Sequence, residues 1–437
     1  MKKFAFIGAG SLQFTTKTIC DLMTFPAFEE CEFALMDNDA QNLKCISEIC
    51  EKILAEFNRP KCKITATMDR KEALKDADGV LCTVFNGDVD IWQHEIEIPK
   101  KYGVDINVGD TRSISGIFRA LRNIPLMLDI CADIEKYAPN AVFLNYTNPM
   151  SMLCGAMQKY ANVEVTGLCH SVQGTIAMLA EWLNIPVEEI TYKCMGVNHQ
   201  AFYTVLEHNG EDLYPRLKKL IRENKEFYNK EMVRNEMLLH LGYYVTESSG
   251  HNSEYNQWFR KRPDLIEKYC THSTNWNPGE YAFSLNLRRD RKKEPKKQYD
   301  EFFNNPIPHE KSPEYAADIF NARLGDGKPF IFNGNVINHG SIPNLPYDAC
   351  VEVPVVADRM GFKTTIAGEL PPHLAILVNT TARMESLVVE AAMKKSKEMV
   401  YQAAYMDPLT SAVCSLEEIR QMCDEIFEKN KFYLNYK

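Results

Sequence analysis

The sequence predicts an α/β protein, an N-terminal doubly wound parallel sheet followed by a C-terminal mixed α+β domain. Two observations predict the first part. Apolar runs of strand length alternate with helix-spaced segments through residues 1–150, as parallel strands joined by crossovers require. A glycine turn, Gly8-Ala9-Gly10-Ser11, directly follows the first of those runs. The second part rests on β-branched runs that return beyond residue 330, after a long polar and aromatic stretch.

Taken in order, Lys3–Gly8 is an apolar strand, and Thr15 to Met23 has helical spacing. Cys31–Asp37 is a second strand ending in an acid, followed by a helix over Gln41–Phe57 and a strand over Cys62–Thr67. Lys71–Ala77 is a short helix before the strand Gly79–Phe85, and Ile117–Tyr137 is a long helix leading to the buried strand Ala141–Asn145. Met150–Tyr160 and Val172–Leu183 predict helices, with strands near Val163–Leu168 and Ile190–Gly196. The stretch from Arg216 to Tyr299 predicts mostly helix. Ile331–Ile337 and Ala349–Val356 predict a second sheet, and residues 373–405 predict helix. Neither an internal repeat nor a low-complexity linker interrupts the chain. Domains of residues 1–190 and 191–437 are therefore expected to share a tight interface.

The 437 residues are 45% hydrophobic and 25% charged, a globular balance in a chain too long for one simple core. A net charge of −9 argues against a nucleic-acid partner, which needs concentrated Lys and Arg. The one dense basic run, Arg288-Arg289-Asp290-Arg291-Lys292-Lys293, reads as a solvated helix face or loop. No segment approaches ~18 uninterrupted apolar residues, so no membrane span is expected. Fourteen scattered cysteines and an N-terminus without an apolar signal core fit a reduced, cytoplasmic enzyme.

In the glycine turn, Gly8 and Gly10 let the chain bring backbone N–H groups toward a pyrophosphate at the start of the next helix, which Ser11 opens. Gln13 replaces the third glycine of the full dinucleotide fingerprint. Asp37 ends the second strand, where an acid can hold both ribose hydroxyls and would repel a 2′-phosphate. This favours NAD over NADP and makes the sheet Rossmann-like. The same turn also suits a strand-turn-helix that binds nothing.

Cys169 and His199 each follow an apolar strand, at the carboxyl ends where open α/β sheets place ligands. A thiolate plus an imidazole suits a divalent transition metal acting as a Lewis acid, although each residue type is also common in cores. His170 adjoins Cys169 but points to the other side, as an acid/base candidate. Asn145-Tyr146-Thr147-Asn148-Pro149 puts Asn148 at the crevice, able to bind a sugar hydroxyl or to form an Asx turn. Asp110 precedes a helix on which Arg119 and Arg122 share a face. They could hold substrate, a partner subunit or a surface ion pair.

Gly8-x-Gly10-Ser11, Asp37, Asn145-x-x-Asn148-Pro149, Cys169-His170-Ser171-Val172-Gln173-Gly174 and Gly196-x-Asn198-His199 together resemble the NAD- and manganese-dependent family 4 glycoside hydrolases. The resemblance runs almost end to end and includes Asn344-Leu345-Pro346, Val351-Glu352-Val353 and Met406-Asp407-Pro408. Cys-His-Ser-Val-Gln-Gly and Val245-Thr246-Glu247-Ser248-Ser249 look like the α-galactosidase (melibiase) branch, whereas phosphoglycosidases carry Asn or Asp where His170 stands.

The resemblance implies cleavage by transient oxidation of the sugar at C3 with NAD⁺, removal of the C2 proton, elimination of the glycosidic oxygen, addition of water and return of the hydride. This departs from the two-carboxylate route of most glycosidases. It further implies that Cys169 and His199 hold Mn²⁺ or another divalent transition metal. Asn148, Arg119 and Asp110 are the expected sugar contacts, and His170 assists the leaving group. The C2 base is expected within Tyr243–Tyr255, with Glu247 and Tyr244 ahead of His251. A homodimer or homotetramer acting on a small-molecule glycoside is expected, with nucleotide and part of the active site on residues 1–190.

Three segments depart from the family pattern: Asp110-Thr111-Arg112-Ser113-Ile114-Ser115-Gly116 in place of a glycine-rich loop, Phe85-Asn86-Gly87-Asp88, and Glu247-Ser248-Ser249-Gly250-His251. Arg112 could pair with an anionic sugar or form a loop salt bridge. The alternatives are therefore the same chemistry on an α-glucoside, an α-galacturonide or a sulfonated sugar. A simple NAD-dependent dehydrogenase, which leaves Cys169 and His199 unused, and an NAD-sensing regulator without metal dependence are the others.

Overall fold

The computed structural model describes residues 1–271 and 277–437. Among them, one 12-stranded sheet carries both halves of the chain. Its strands are β1 (Lys2–Ile7), β2 (Cys31–Met36), β3 (Lys63–Thr67), β4 (Gly79–Cys82), β5 (Val142–Asn145), β6 (Val165–Gly167), β7 (Ile190–Val197), β8 (Gln200–His208), β9 (Glu211–Asp212), β10 (Phe330–Ile337), β11 (Cys350–Asp358) and β12 (Gly361–Thr364). They lie in the order β3-β2-β1-β4-β5-β6-β10-β11-β7-β8-β9, with β12 added against β11. The first six are parallel and doubly wound about β1, the Rossmann-like arrangement expected.

Side-chain alternation explains why β1 is buried on both faces. Phe4 and Phe6 enter one core cluster with Ile19 and Leu22 of the helix Leu12–Met23 and Ile46 of the helix Ala40–Glu56. Ala5 and Ile7 enter the other, with Trp92 of the helix Asp88–Lys101 and Ile117 and Leu121 of the helix Ser113–Tyr137. Each buried Phe of β1 contributes roughly 1.5–3 kcal/mol. A charged pair holds the second layer together: Arg122 meets Glu95 with both side chains fully buried, and Arg122 also donates to Asn430 Oδ1 at 3.2 Å.

Three expectations change. β4 ends at Cys82 instead of Phe85, because the Val84 N–H turns to the Thr147 hydroxyl at 3.0 Å and leaves the ladder. The helix Asp88–Lys101 had no counterpart in the sequence reading, since its apolar positions Val89, Trp92 and Ile96 are interleaved with charges. The predicted second sheet is a continuation of the first. β10 pairs antiparallel with β6 (Asn335↔Gly167), and β11 with β7 (Glu352↔Gly196). The described residues of the stretch Arg216–Tyr299 are mainly helical as predicted, through Tyr214–Glu223, Met232–Leu241, Ser249–Tyr255 and Phe283–Lys293 among others; residues 272–276 of that stretch lie outside the described residues. No described helix is long and apolar enough to cross a membrane.

Candidate active site

The glycine turn sits at the carboxyl end of β1. Gly8 has φ +81°, and a Cβ there would stand 2.6 Å from the Thr83 carbonyl oxygen, so only glycine permits the close approach. The turn's own donors are engaged internally: the Gly8 N–H goes to the Met36 carbonyl at 3.0 Å and the Gly10 N–H to Asp37 Oδ2 at 2.8 Å. Asp37 is buried and also accepts the Asp39 N–H at 3.0 Å. Ser11 is the N-cap of the helix Leu12–Met23 but makes no side-chain cap, and that helix has no acid in its first turn. The open N–H groups of the first turn fit a pyrophosphate, with Asp37 bracing the loop beside it.

One residue of this helix reaches the second loop. The Phe14 ring packs 4.5 Å from that of Tyr146 and 6.5 Å from that of His170. His170 is exposed at the N-cap of the helix Ser171–Leu183. Cys169, just before it, is buried. Its thiol lies 3.2 Å from Ser171 Oγ and 3.2 Å from His199 Nε2. Burial, then the carboxylates of Glu352 and Glu247, push this thiol well above the ordinary range.

His199 arrives from the opposite side, in the two-residue turn between β7 and β8, at φ +63°. Burial lowers its pKa to about 4, against the opposing pull of Glu247, so the imidazole is neutral at pH 7. Nδ1 faces the Thr111 hydroxyl at 3.1 Å and the Tyr255 hydroxyl at 3.2 Å. Nε2 faces Glu247 Oε2 at 3.3 Å. The ligand atoms of Cys169, His199 and Glu247 all lie within 4.8 Å of one another. A sulfur, a nitrogen and a carboxylate oxygen at that spacing fit a divalent transition metal.

Burial alone would raise the Glu247 carboxyl, but His251, His199, His170 and the Ser248 N–H together hold it well below the usual carboxylate range. His251 Nδ1 lies 2.7 Å from Ser248 Oγ and 3.3 Å from Glu247 Oε1, and its Nε2 is 3.9 Å from Asp110 Oδ1.

Asp110, Asn148 and Arg119 form a third group beside these. Asn148 Nδ2 donates to Asp110 Oδ2 at 3.3 Å, and Arg119 Nε donates to the Asn148 carbonyl at 3.2 Å. Arg119 lies over Phe85 and Trp92, 4.7 and 5.3 Å from their ring centres. Arg119 Nη1 and Asn148 Oδ1 are buried without a hydrogen-bond partner among the described residues, as expected of groups that await a ligand. Burial raises the Asp110 carboxyl, but His251 and Arg119 outweigh it and keep the group below its ordinary range.

The family models then decide the class. The one described as "Family 4 glycosyl hydrolase" matches residues 3–185, and its C-terminal domain model matches residues 194–410. The chain belongs to glycosyl hydrolase family 4. It is 40% identical over 442 residues to a Bacillus subtilis (strain 168) protein named alpha-galactosidase, covering 98% of each. It is 37% identical to a Rhizobium meliloti (strain 1021) protein of the same name, covering 97% of this chain and 87% of that one. Its fold is similar to a Thermotoga maritima 6-phospho-beta glucosidase solved with manganese, NAD+ and glucose-6-phosphate, with TM-score 0.80, 22% identity and 100% of both chains covered.

Within this family 4 chain, Tyr244 needs correction as a catalytic candidate. Its hydroxyl donates to Asn235 Oδ1 at 3.3 Å inside an apolar cluster with Trp182, and burial pushes its pKa up. The phenol that reaches His199 is Tyr255, which also lies 4.7 Å over the Arg112 guanidinium. Arg112 forms a salt bridge: fully buried, it pairs with Glu385 at 3.0 Å and donates to the Asn198 carbonyl at 2.6 Å. Arg122 faces Glu95 and not the site.

Sequence reasoning also missed Thr111 and Glu254. The Glu254 carboxylate accepts the N–H groups of Asn107, Val108 and Gly109 at 2.7–2.9 Å, which fastens the Asp110 loop to the helix Ser249–Tyr255. A buried acid three residues after His251, on the same helix face, was the available signal.

Proposed function

We propose that this family 4 enzyme hydrolyses α-galactosides, using NAD⁺ at the glycine turn and a divalent transition metal, Mn²⁺ first, at Cys169 and His199. The observation that carries it is the meeting of Cys169 Sγ and His199 Nε2 at 3.2 Å beside the turn-bearing helix, whose Phe14 touches the same loop. The α-galactosidase names of the two relatives support the sugar. Bound NAD⁺ supplies a reversible hydride acceptor and the metal a Lewis acid, which together acidify the C2 proton of the sugar so that the glycosidic oxygen can leave.

The chain's own residues do the rest. Asp110 and Asn148 accept and donate to sugar hydroxyls, and Arg119 offers its unpartnered Nη1 to a ring substituent. The Glu247–His251 pair takes the C2 proton, the carboxylate Oε1 and the imidazole Nδ1 lying 3.3 Å apart so that the proton can be shared between them. His170, exposed at its helix N-cap, hands a proton to the departing oxygen. Gly8, Gly10, Ser11 and Asp37 would hold the nucleotide at the carboxyl end of β1.

The test is release of p-nitrophenol from α- and β-glycosides, including galacturonide and 6-phospho forms, with NAD⁺, Mn²⁺ and a reductant present. Hydrolysis of the α-galactoside without net NADH, with deuterium at C2 exchanged into water, is the expected result. Retention of that deuterium in the product overturns the mechanism. Steady accumulation of NADH in place of sugar release overturns the glycosidase reading.

A further inference from the structure

Glu247 stands where a proton acceptor and a metal ligand would be hard to tell apart by position alone. Its two carboxylate oxygens are used differently. Oε1 accepts the Ser248 N–H at 3.0 Å and lies 3.3 Å from His251 Nδ1. Oε2 turns the other way, to His199 Nε2 at 3.3 Å.

The proton inventory at His199 makes that second contact unusual. Thr111 donates its hydroxyl proton to Asp110 Oδ1 at 2.7 Å, so toward His199 Nδ1 it can only accept. In the tautomer with Nδ1 protonated toward Thr111 and the Tyr255 hydroxyl at 3.2 Å, Nε2 presents a lone pair. Cys169 Sγ donates to Ser171 Oγ at 3.2 Å, which turns its lone pairs toward the same place. Three electron-rich atoms thus converge: Sγ to Nε2 is 3.2 Å and Nε2 to Oε2 is 3.3 Å. Atoms bound to one ion by bonds of about 2.0–2.3 Å stand roughly 3–4 Å apart, the spacing seen here. In that tautomer, without a cation, the Nε2 lone pair and the Oε2 carboxylate face each other with no proton between them.

From this convergence we infer that Glu247 is a third protein ligand of the divalent cation, through Oε2, completing a Cys169–His199–Glu247 set. The inference rests on the proposed metal site and sharpens it, since two protein ligands leave the cation held mainly by substrate and water. A third, anionic ligand means that the chain retains its cation before the sugar arrives. His251, on the Oε1 side, then becomes the side chain of the pair that lies outside the coordination set.

The experiment is Mn²⁺ titration of chelator-treated full-length protein, with NAD⁺ present and no sugar, read from the electron paramagnetic signal of free Mn²⁺. Co²⁺ loading provides a second readout through its visible absorption, which reports the donor set. Glu247→Gln is expected to weaken Mn²⁺ binding by at least about tenfold and to change the Co²⁺ spectrum. Tyr244→Phe, outside the cluster, is expected to change neither. Unchanged Mn²⁺ affinity and an unchanged Co²⁺ spectrum in Glu247→Gln, whatever happens to turnover, overturn the assignment. If the Gln variant fails to fold by circular dichroism, Glu247→Asp is read in its place. A shifted Co²⁺ spectrum supports the third ligand, and an unshifted one overturns it. Cys169→Ser separates the two layers, because Mn²⁺ affinity that survives this change removes the metal site itself and the third ligand with it.

Discussion

The Thr111 hydroxyl lies 3.1 Å from His199 Nδ1 and gives its own proton to Asp110 Oδ1. As an acceptor it stabilises the form of His199 in which Nδ1 donates and Nε2 faces Cys169 and Glu247. Thr111 is therefore expected to support the form of the imidazole that can bind a metal. Thr111→Val is expected to lower Mn²⁺ affinity roughly 10–100-fold, as loss of an outer partner of a ligating imidazole does, with little change in melting temperature. Affinity equal to wild type in an equilibrium titration would remove Thr111 from this role.

We expect Cys169 and the glycine turn to be separable in function although they share one sheet. Cys169→Ser is expected to abolish metal-dependent turnover while NAD⁺ affinity stays near the wild-type value. Isothermal titration with NAD⁺, alongside the activity assay, checks both halves. Full activity in metal-free buffer contradicts the assignment.

Asp37 braces Gly10 through Oδ2, and we expect it to meet the ribose as well. Asp37→Ala should therefore weaken NAD⁺ by roughly 1–3 kcal/mol, since it strands both the ribose hydroxyls and the Gly10 N–H. A dissociation constant unchanged by calorimetry would place Asp37 outside the nucleotide site.

Glu352 offers a test of stability against pH. Burial first, then Glu247, raise its carboxyl to about 8, while Asn198 and Arg112 oppose them. The folded state thus binds a proton that the unfolded chain releases near its ordinary value of 4.5. Its contribution is fully present below pH 4.5 and is lost as pH rises toward 8, at up to about 1.4 kcal/mol per pH unit. Glu352→Gln should flatten this decline, so that the variant gains on wild type in melting temperature between pH 5 and pH 8. Parallel melting curves across that range would show that Glu352 is ionised in the folded protein.

The Arg122–Glu95 pair is the most exacting charged contact in the core, with both side chains fully buried. Glu95→Gln leaves a guanidinium in an apolar layer, and a loss of about 3–5 kcal/mol in urea unfolding is expected. A loss below 1 kcal/mol would mean that Asn430 and the surrounding backbone suffice to hold Arg122.

Much of the first half was legible because its signals are local. Strand length, alternation and the Gly8–Ser11 turn identify the parallel sheet, and Cys169 and His199 stand out as strand-terminal residues of metal-binding type. The antiparallel continuation was not legible, because the pairing of Asn335 with Gly167 joins residues far apart in the chain and leaves no local trace. That Tyr255, and not Tyr244, lies against His199 was not legible for the same reason. Which phenol reaches His199 depends on how the helix Ser249–Tyr255 is fastened. Glu254 does that from within, by capturing three backbone N–H groups near residue 108. The salt-bridge reading of Arg112 holds, but its partner Glu385 could not be named from the sequence, since it lies on a helix near the other end of the chain.

The unbroken sheet also limits how this chain can be dissected. Cutting it between the two matched segments, after residue 185 and before residue 194, would separate β6 from β10 and break the Asn335–Gly167 pairing that joins them. Each fragment would then expose a sheet edge that the intact chain covers, of the kind that seeds strand-to-strand association. The two fragments are therefore expected to be insoluble when expressed apart and to regain solubility only when produced together.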